Sequence, residues 1–345
     1  MKKTQIKQGT RAWENIKESR IGSSEVFDIV RYYATDSELQ NCGIDAQKFK
    51  NETPFVTTWA LYHKVLQDGI YQKPLLEPEY GEYGLAMEQY GLKVLQEQRA
   101  NKLKKGEVFI SDKLIASLDI SGISEDVDIR PFDFGNGTAK AGERFVCEQK
   151  TIMPYKTTLP LKYVIQAQYQ ISMAKCKFFI LQAMILENDT PFERGKIVAL
   201  ANSSKTKFFN YVKDKVKVQH IYFANNEALA QLIKVCINRF FEDVANRNEP
   251  KPFIEVDKVS QVIVSIRQNS FYNPSLIKEY DLSDYAEKKK AEKEAEKARK
   301  EALQKLIEFA MENNCSRFDS ASGHTASFSS DGKLLLKEPK EKSND

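Results

Sequence analysis

The chain has 345 residues, 41% hydrophobic and 29% charged, which is enough for a full core and a second, smaller module. Its 52 lysines and arginines against 48 aspartates and glutamates leave a net charge of +4, a balance that neither demands nor excludes nucleic acid. No stretch approaches the roughly 18 apolar residues of a membrane span. The start, Met1-Lys2-Lys3-Thr4-Gln5, lacks the apolar core of a signal peptide. Cysteines at 42, 147, 176, 236 and 315 show no Cys-x-x-Cys spacing, so reduced thiols in a cytoplasmic protein are expected. Histidines 63, 220 and 324 are too scattered to suggest zinc.

In chain order, residues 11–33 read as a helix, a turn and a second helix, with Ser23 or Ser24 as N-cap before Val26, Ile29 and Val30. The free amides of such a turn can bind a phosphate. Residues 34–57 are polar and weakly patterned and read as a loop or insertion. Residues 58–67 and 84–98 read as helices, the first carrying Trp59, Leu61, Tyr62 and Val65, the second Leu85, Met87, Leu92, Val94 and Leu95. Residues 107–110 and 114–118 read as strands around a Ser111-Asp112-Lys113 turn, 127–130 as a strand, 133–143 as a flexible loop and 144–150 as the next strand. A helix over 161–175, strands over 178–186 and 193–200, and an amphipathic helix over 226–246 follow. The character changes after about residue 255. Residues 284–313 read as one long helix rich in Lys, Glu and Ala. Its stripe of Ala291, Ala295, Ala298, Ala302, Leu306 and Phe309 fits a thin coiled-coil seam or docking face, and its interleaved glutamates fit a solvated helix. Residues 323–338 suggest a small hairpin turning at Ser330-Asp331-Gly332.

The chemistry concentrates in Cys147-Glu148-Gln149-Lys150, with Asp119 upstream and Gln166-Ala167-Gln168 downstream. Strand residues alternate sides, so Glu148 and Lys150 share a face. Two carboxylates on neighbouring strands suit a hard divalent cation, and an adjacent ammonium suits charge stabilisation or water activation in phosphodiester hydrolysis. Gln166 and Gln168, two apart on a helix, face different ways.

The order Trp13…Ser24, Gly84…Glu88, Ala116-Ser117-Leu118-Asp119, Glu148-Gln149-Lys150 and Tyr163…Gln166-Ala167-Gln168 resembles the YqaJ-type viral recombinases, the lambda exonuclease group of the PD-(D/E)xK nuclease superfamily. The resemblance covers roughly residues 11–250 and rests on five elements in the right order rather than on any one motif. It implies an α/β (α+β) fold with a restriction-endonuclease-like core: a mixed central sheet flanked by helices. On that reading residues 1–255 form the nuclease domain, and residues 256–345 a C-terminal extension with the long helix and hairpin.

The resemblance implies roles residue by residue. Asp119 and Glu148 match the metal-binding carboxylates, the backbone carbonyl of Gln149 a further ligand, and Lys150 the catalytic lysine. Glu88 would approach the metal from the helical side. Gln166 would lie near the scissile phosphate and Gln168 behind it. Ser24 matches the serine that binds phosphate near the DNA end. Where the family usually has arginine, four residues after the tryptophan, this chain has Lys17, which lacks the bidentate fork, with Arg20 three residues on as a substitute. A second register is open: Gly122-Ile123-Ser124-Glu125-Asp126-Val127-Asp128 resembles the metal-binding strand of RecB-like nucleases and would make Glu125 the first ligand. Ala-Ser-Leu-Asp after a hairpin favours Asp119.

The activity implied is Mg²⁺- or Mn²⁺-dependent hydrolysis with one or two ions, running 5′→3′ on linear double-stranded DNA and leaving a 3′ single strand for phage-type recombination. Implied partners are double-stranded DNA, a single-strand annealing protein and further copies of the chain in a ring, in the cytoplasm of a bacterium or a phage-infected cell. An endonuclease of the same fold and a non-catalytic DNA-binding protein are the alternatives.

Overall fold

The computed structural model describes residues 2–4, 6, 10–54, 56–71, 78–98, 103–123, 129–131, 133–135, 137–152, 160–253, 255–268, 283–312, 317–319, 324–328 and 334–337. The chain divides into two units, Met1–Tyr272 and Asn273–Asp345.

In the first unit, β1 (Lys2–Thr4), α1 (Arg11–Glu18), β2 (Ile21–Gly22) and α2 (Val26–Tyr33) lead into two short helices, α3 (Asp36–Asn41) and α4 (Ala46–Asn51). Then come α5 (Thr58–Leu66), α6 (Pro78–Gln98), β3 (Lys104–Ile110), β4 (Leu114–Ile123), β5 (Ile129–Pro131), β6 (Thr138–Ala139) and β7 (Arg144–Ile152). The unit closes with α7 (Leu161–Ala174), β8 (Phe178–Leu186), α8 (Pro191–Ser203), α9 (Lys205–Lys213), β9 (Val216–Ala224), α10 (Glu227–Asn246) and α11 (Val259–Gln268).

The sheet grows from β8, whose run Phe-Phe-Ile-Leu-Gln-Ala-Met-Ile-Leu is buried along almost its whole length. Such a strand needs cover on both faces. The order is β1-β3-β4-β7-β8-β9, with β2 added to β4. The β7/β8 and β2/β4 pairs are parallel and the other ladders antiparallel, so the sheet is mixed and mostly antiparallel. One face packs Val146, Phe179, Leu181 and Phe223 against α2, α5, α7 and α10. On the other, Met184, Leu186 and Val216 meet α6, α8 and α9, and Ile120, Phe145, Cys147 and Tyr222 meet Leu95. This is the expected α/β architecture.

Three local expectations fail. Residues 34–57 contain helices rather than a loop: α3 starts on a capping box formed by Thr35 and Glu38, and α4 on the Asp45 side chain. Each buries only one or two residues, Leu39 in the first and Ala46 and Phe49 in the second, too few to leave a periodic pattern. The strand expected over 193–200 is α8, because Thr190 caps the Glu193 amide and Pro191 stands in the first turn. Neither Ser23 nor Ser24 caps α2; Glu25 holds the N-cap position without a side-chain capping bond. The loop expected over 133–143 contains the two-residue β6, and part of the strand expected over 127–130 is β5. Residues 127 and 128 lie outside the described ones.

The first unit runs past residue 255 through α11, which is tied down by Gln261 donating to the Ile70 carbonyl (3.1 Å) and Ser265 donating to Glu249 (2.7 Å). The second unit holds α12 (Ser283–Glu312) and an antiparallel sheet of β10 (Arg317–Asp319), β11 (Thr325–Phe328) and β12 (Leu334–Lys337). Its expected turn at 330–332 lies outside the described residues. Ala291, Ala295, Ala298 and Ala302 are exposed on α12, and Phe309 meets Phe318 with ring centroids 5.9 Å apart. Among the described residues, no helix is long and apolar enough to cross a membrane.

Candidate active site

The site forms where β4 and β7 separate. Their last paired residues in this direction are Ile120 and Cys147, so Asp119 and Glu148 stand at the next step on each strand. Gly106, at φ +71°, lies opposite Asp119 on β3, and the pairs of that ladder are formed on either side of it. Leu118 and Ile120 pack into different cores, although residues two apart normally share a face. The alternation of β4 therefore turns over at Asp119, while its register against β3 is the same on either side. Here the Asp119 carboxylate accepts the Gln149 backbone N–H at 2.9 Å.

Glu148 is buried and held from three sides. Its Oε1 accepts from Lys150 Nζ at 2.7 Å and from Gln166 Nε2 at 2.8 Å, and its Oε2 accepts from Gln170 Nε2 at 3.1 Å. The strand alternation expected of Glu148 and Lys150 is thus met. A buried carboxylate is costly unless bonded in this way. Gln170 lies one helical turn beyond Gln166, so the two reach the same carboxylate from α7. Sequence reasoning missed Gln170, although its four-residue spacing from Gln166 was there to be read. Gln168 faces elsewhere: it donates to the Ala224 carbonyl (2.6 Å) and accepts from the Asn226 amide (2.8 Å), joining β9 to α10. It does not line the cleft.

Burial raises the Asp119 pKa well above its ordinary value, and the Glu148 charge adds to the rise. Burial raises Glu88 as well, against the opposing pull of Lys105, whose Nζ lies 3.5 Å from Glu88 Oε2. Burial pushes the Lys150 ammonium down, but Glu148 and Asp119 outweigh it and keep the pKa above the ordinary lysine value. Lys150 is therefore a stable cation here rather than a ready base.

A cleft of ≈ 250 Å³ gathers Asp119, Glu148, Gln149, Lys150, Gln166, Glu88, Ser24 and Lys17, together with Trp13, Ser23 and Ser117. Trp13 donates from its indole to Ser117 Oγ at 2.9 Å, and the Lys17 ammonium lies 4.7 Å from the Trp13 ring centre. Ser24 is exposed, whereas Ser23 is buried and, among the described residues, its hydroxyl has no hydrogen-bond partner. A buried orphan hydroxyl at a cleft wall suits an oxyanion better than a capping role. The turn carrying both serines is braced from behind. Glu25 accepts from the Gly22 amide at 2.8 Å, and Lys64 donates to both Glu25 oxygens at 2.7 Å and to the Arg20 carbonyl at 2.8 Å. Arg20 is spent on the Ser111 and Ile16 carbonyls (3.0 and 3.1 Å) and is not among the cleft residues. Glu125 lies outside the described residues.

The chain is similar in structure to solved phage-related and alkaline exonucleases. A phage-related exonuclease from Haemophilus somnus 129PT shares 12% identity at a TM-score of 0.40, over 68% of this chain and 98% of the other. An alkaline exonuclease from Laribacter hongkongensis, also solved in complex with dAMP, shares 12% at 0.39, over 74% and 100%. No protein-family model matches the chain, and no curated protein matches it.

Among the described residues, no three acidic, histidine or cysteine side chains converge as a ready metal cluster. The cleft nonetheless fits a Mg²⁺-type ion. Its carboxylates, Asp119, Glu148 and Glu88, are hard oxygen donors, no histidine or cysteine among the described residues lines it, and such ions are commonly held by one or two carboxylates and several waters. Burial first and the Glu148 charge second raise Asp119, and a bound dication would offset the second.

Proposed function

We propose that this chain is a divalent-cation-dependent deoxyribonuclease that degrades linear double-stranded DNA, 5′→3′, leaving a 3′ single strand. The observation that carries the reading is Glu148, held by Lys150, Gln166 and Gln170 beside Asp119 in one cleft. Asp119, Glu148 and the Gln149 carbonyl would hold Mg²⁺ or Mn²⁺, with Glu88 on the far wall. When bound there, the ion would supply polarisation of the phosphoryl oxygen and activation of water. Lys150, kept protonated by its two acidic neighbours, stabilises negative charge on the phosphate and donates to the attacking or departing oxygen. Gln166 orients Glu148. Ser23, Ser24 and Lys17 take the neighbouring phosphate, Lys17 as a point charge without the fork of arginine. The single-stranded product is the kind of substrate an annealing partner takes up.

Digestion of duplexes labelled at the 5′ or the 3′ end, beside covalently closed circles, tests the polarity and the need for an end. Early release of the 5′ label and intact circles are expected. Linearised circles would favour an endonuclease of the same fold. Binding without any cleavage, in Mg²⁺ or Mn²⁺, would leave a non-catalytic DNA-binding protein.

A further inference from the structure

Two glutamines, Gln149 on β7 and Gln182 on β8, are register partners and are 7% and 0% exposed. Buried amides cost folding energy unless they are bonded, and apolar residues would fill the same space without that cost. Both amides are aimed at the backbone of α6. Gln182 Nε2 donates to the Gly91 carbonyl at 3.0 Å. The Gln149 amide lies between the Glu88 carbonyl and the Leu92 N–H, the two groups that an α-helix normally joins to each other. Two orientations of this amide compete. In one, its nitrogen donates to Gln182 Oε1 at 3.3 Å. In the other, its nitrogen donates to the Glu88 carbonyl at 3.1 Å and its oxygen accepts the Leu92 N–H at 3.0 Å. The second makes shorter bonds to both helix groups but sets the Gln149 and Gln182 side-chain oxygens 3.3 Å apart in place of the bond between them, so in both orientations the amide stays against the Glu88–Leu92 turn of α6.

The approach depends on Gly91. A Cβ there would land on the Gln149 amide and come within 3.0 Å of Met184 Sδ. Only glycine lets the helix come this close to the strand. The helix residue so clasped, Glu88, is the one whose side chain lines the cleft.

We infer that the Gln149 side chain is a positioning residue: it clasps α6 at Glu88 and Leu92 and so sets the Glu88 carboxylate opposite Asp119 and Glu148. The role belongs to the side-chain amide and is separate from anything the Gln149 backbone carbonyl does. It rests on the proposed cation site only in what Glu88 is positioned for.

The test uses the full chain and four variants: Gln149→Met, Gly91→Ala, Glu88→Gln and the Gln149→Met/Glu88→Gln double. Mn²⁺ binding to the DNA-free protein is measured by calorimetry, and exchange of the Leu92 amide by NMR. Gln149→Met keeps side-chain length and the backbone carbonyl, and Gly91→Ala expels the amide by a different route. Each is expected to weaken Mn²⁺ binding about tenfold, the usual cost of losing a group that orients a ligand. In the Glu88→Gln background, Gln149→Met should cost nothing more, because both changes remove one effect. Leu92 should exchange faster in Gln149→Met than in wild type. Mn²⁺ affinity within twofold of wild type in the Gln149→Met or Gly91→Ala protein, or a full additional loss in the double variant, would overturn the inference. If the wild type binds no Mn²⁺, the nuclease reading fails. The Leu92 amide then decides the clasp alone, and an unchanged exchange rate overturns it.

Discussion

Asp119 faces a second carboxylate across two separating strands. Its pKa is raised in the folded chain, by burial first and by Glu148 next. A folded pKa above the unfolded value means that the folded form holds the proton more tightly. Stability is therefore lost as pH rises from the ordinary aspartate value, about 3.9, through the raised one. Above that raised value, without a cation, the cost is fully present. Asp119→Asn keeps an acceptor for the Gln149 amide and removes the charge, so the cation-free variant should melt a few degrees higher than wild type by calorimetry. The wild type should gain on adding Mn²⁺ and the variant should not. Gln170 gives a different readout. Its own carbonyl oxygen is buried without a partner among the described residues, so removing the amide removes a cost together with its bond to Glu148. Gln170→Met should slow DNA cleavage roughly 10–100-fold, as expected for a group that orients a ligand, while the melting temperature moves little.

At the scale of elements, α11 is pinned through His63, which contacts Asp68 at 2.7 Å and Glu249 at 3.1 Å, and through Ser265, whose hydroxyl donates to Glu249 at 2.7 Å. Burial pushes the His63 pKa down, and hydrogen bonds to Glu249 and Asp68 overcome it, leaving the pKa above 6.5. That contribution is fully present below pH 6.5 and is lost as pH rises through the raised value. The Glu249 carboxyl is held down to about 2, chiefly by its bond to His63, so its contribution is present above about 4.5 and is lost as pH falls toward 2. Docking of α11 should be firmest between these limits. Amide exchange over Ser265–Arg267, corrected for intrinsic rate, should show more frequent opening near pH 9 than near pH 6; equal protection at both would contradict the pin.

The same scale shows what the residues alone made legible. The apolar run of β8 and the side-chain alternation of β7 are local signals, so the strand and the shared face of Glu148 and Lys150 were readable. The segment expected as a strand over 193–200 holds the β-branched pair Ile197 and Val198, but the Thr190 cap and Pro191 before it decide the element as α8. The turn-over of β4 at Asp119 and the clasp of Gln149 on α6 depend on which strands and helices become neighbours. No one-dimensional pattern carries that information. The same holds for Ser23: one residue from the expected Ser24, its burial is set by packing of the braced turn.

At the scale of the molecule, every cleft side chain belongs to the unit Met1–Tyr272. A chain ended after Tyr272 should unfold cooperatively in the calorimeter and retain cation-dependent cleavage of a short duplex. Loss of cleavage from a folded truncation would make the unit Asn273–Asp345 part of the catalytic apparatus. The central claim is that Glu148, Lys150 and Asp119 cut DNA with a divalent cation. The most direct measurement is single-turnover hydrolysis of linear duplex DNA in Mg²⁺ by the wild type, by Lys150→Ala and by Glu148→Gln, each shown to be folded. The account predicts cleavage that stops on adding chelator and falls roughly 10²–10⁴-fold or more in each variant. Cleavage that survives both substitutions, or a folded wild type that leaves the DNA intact in Mg²⁺ and in Mn²⁺, would contradict it.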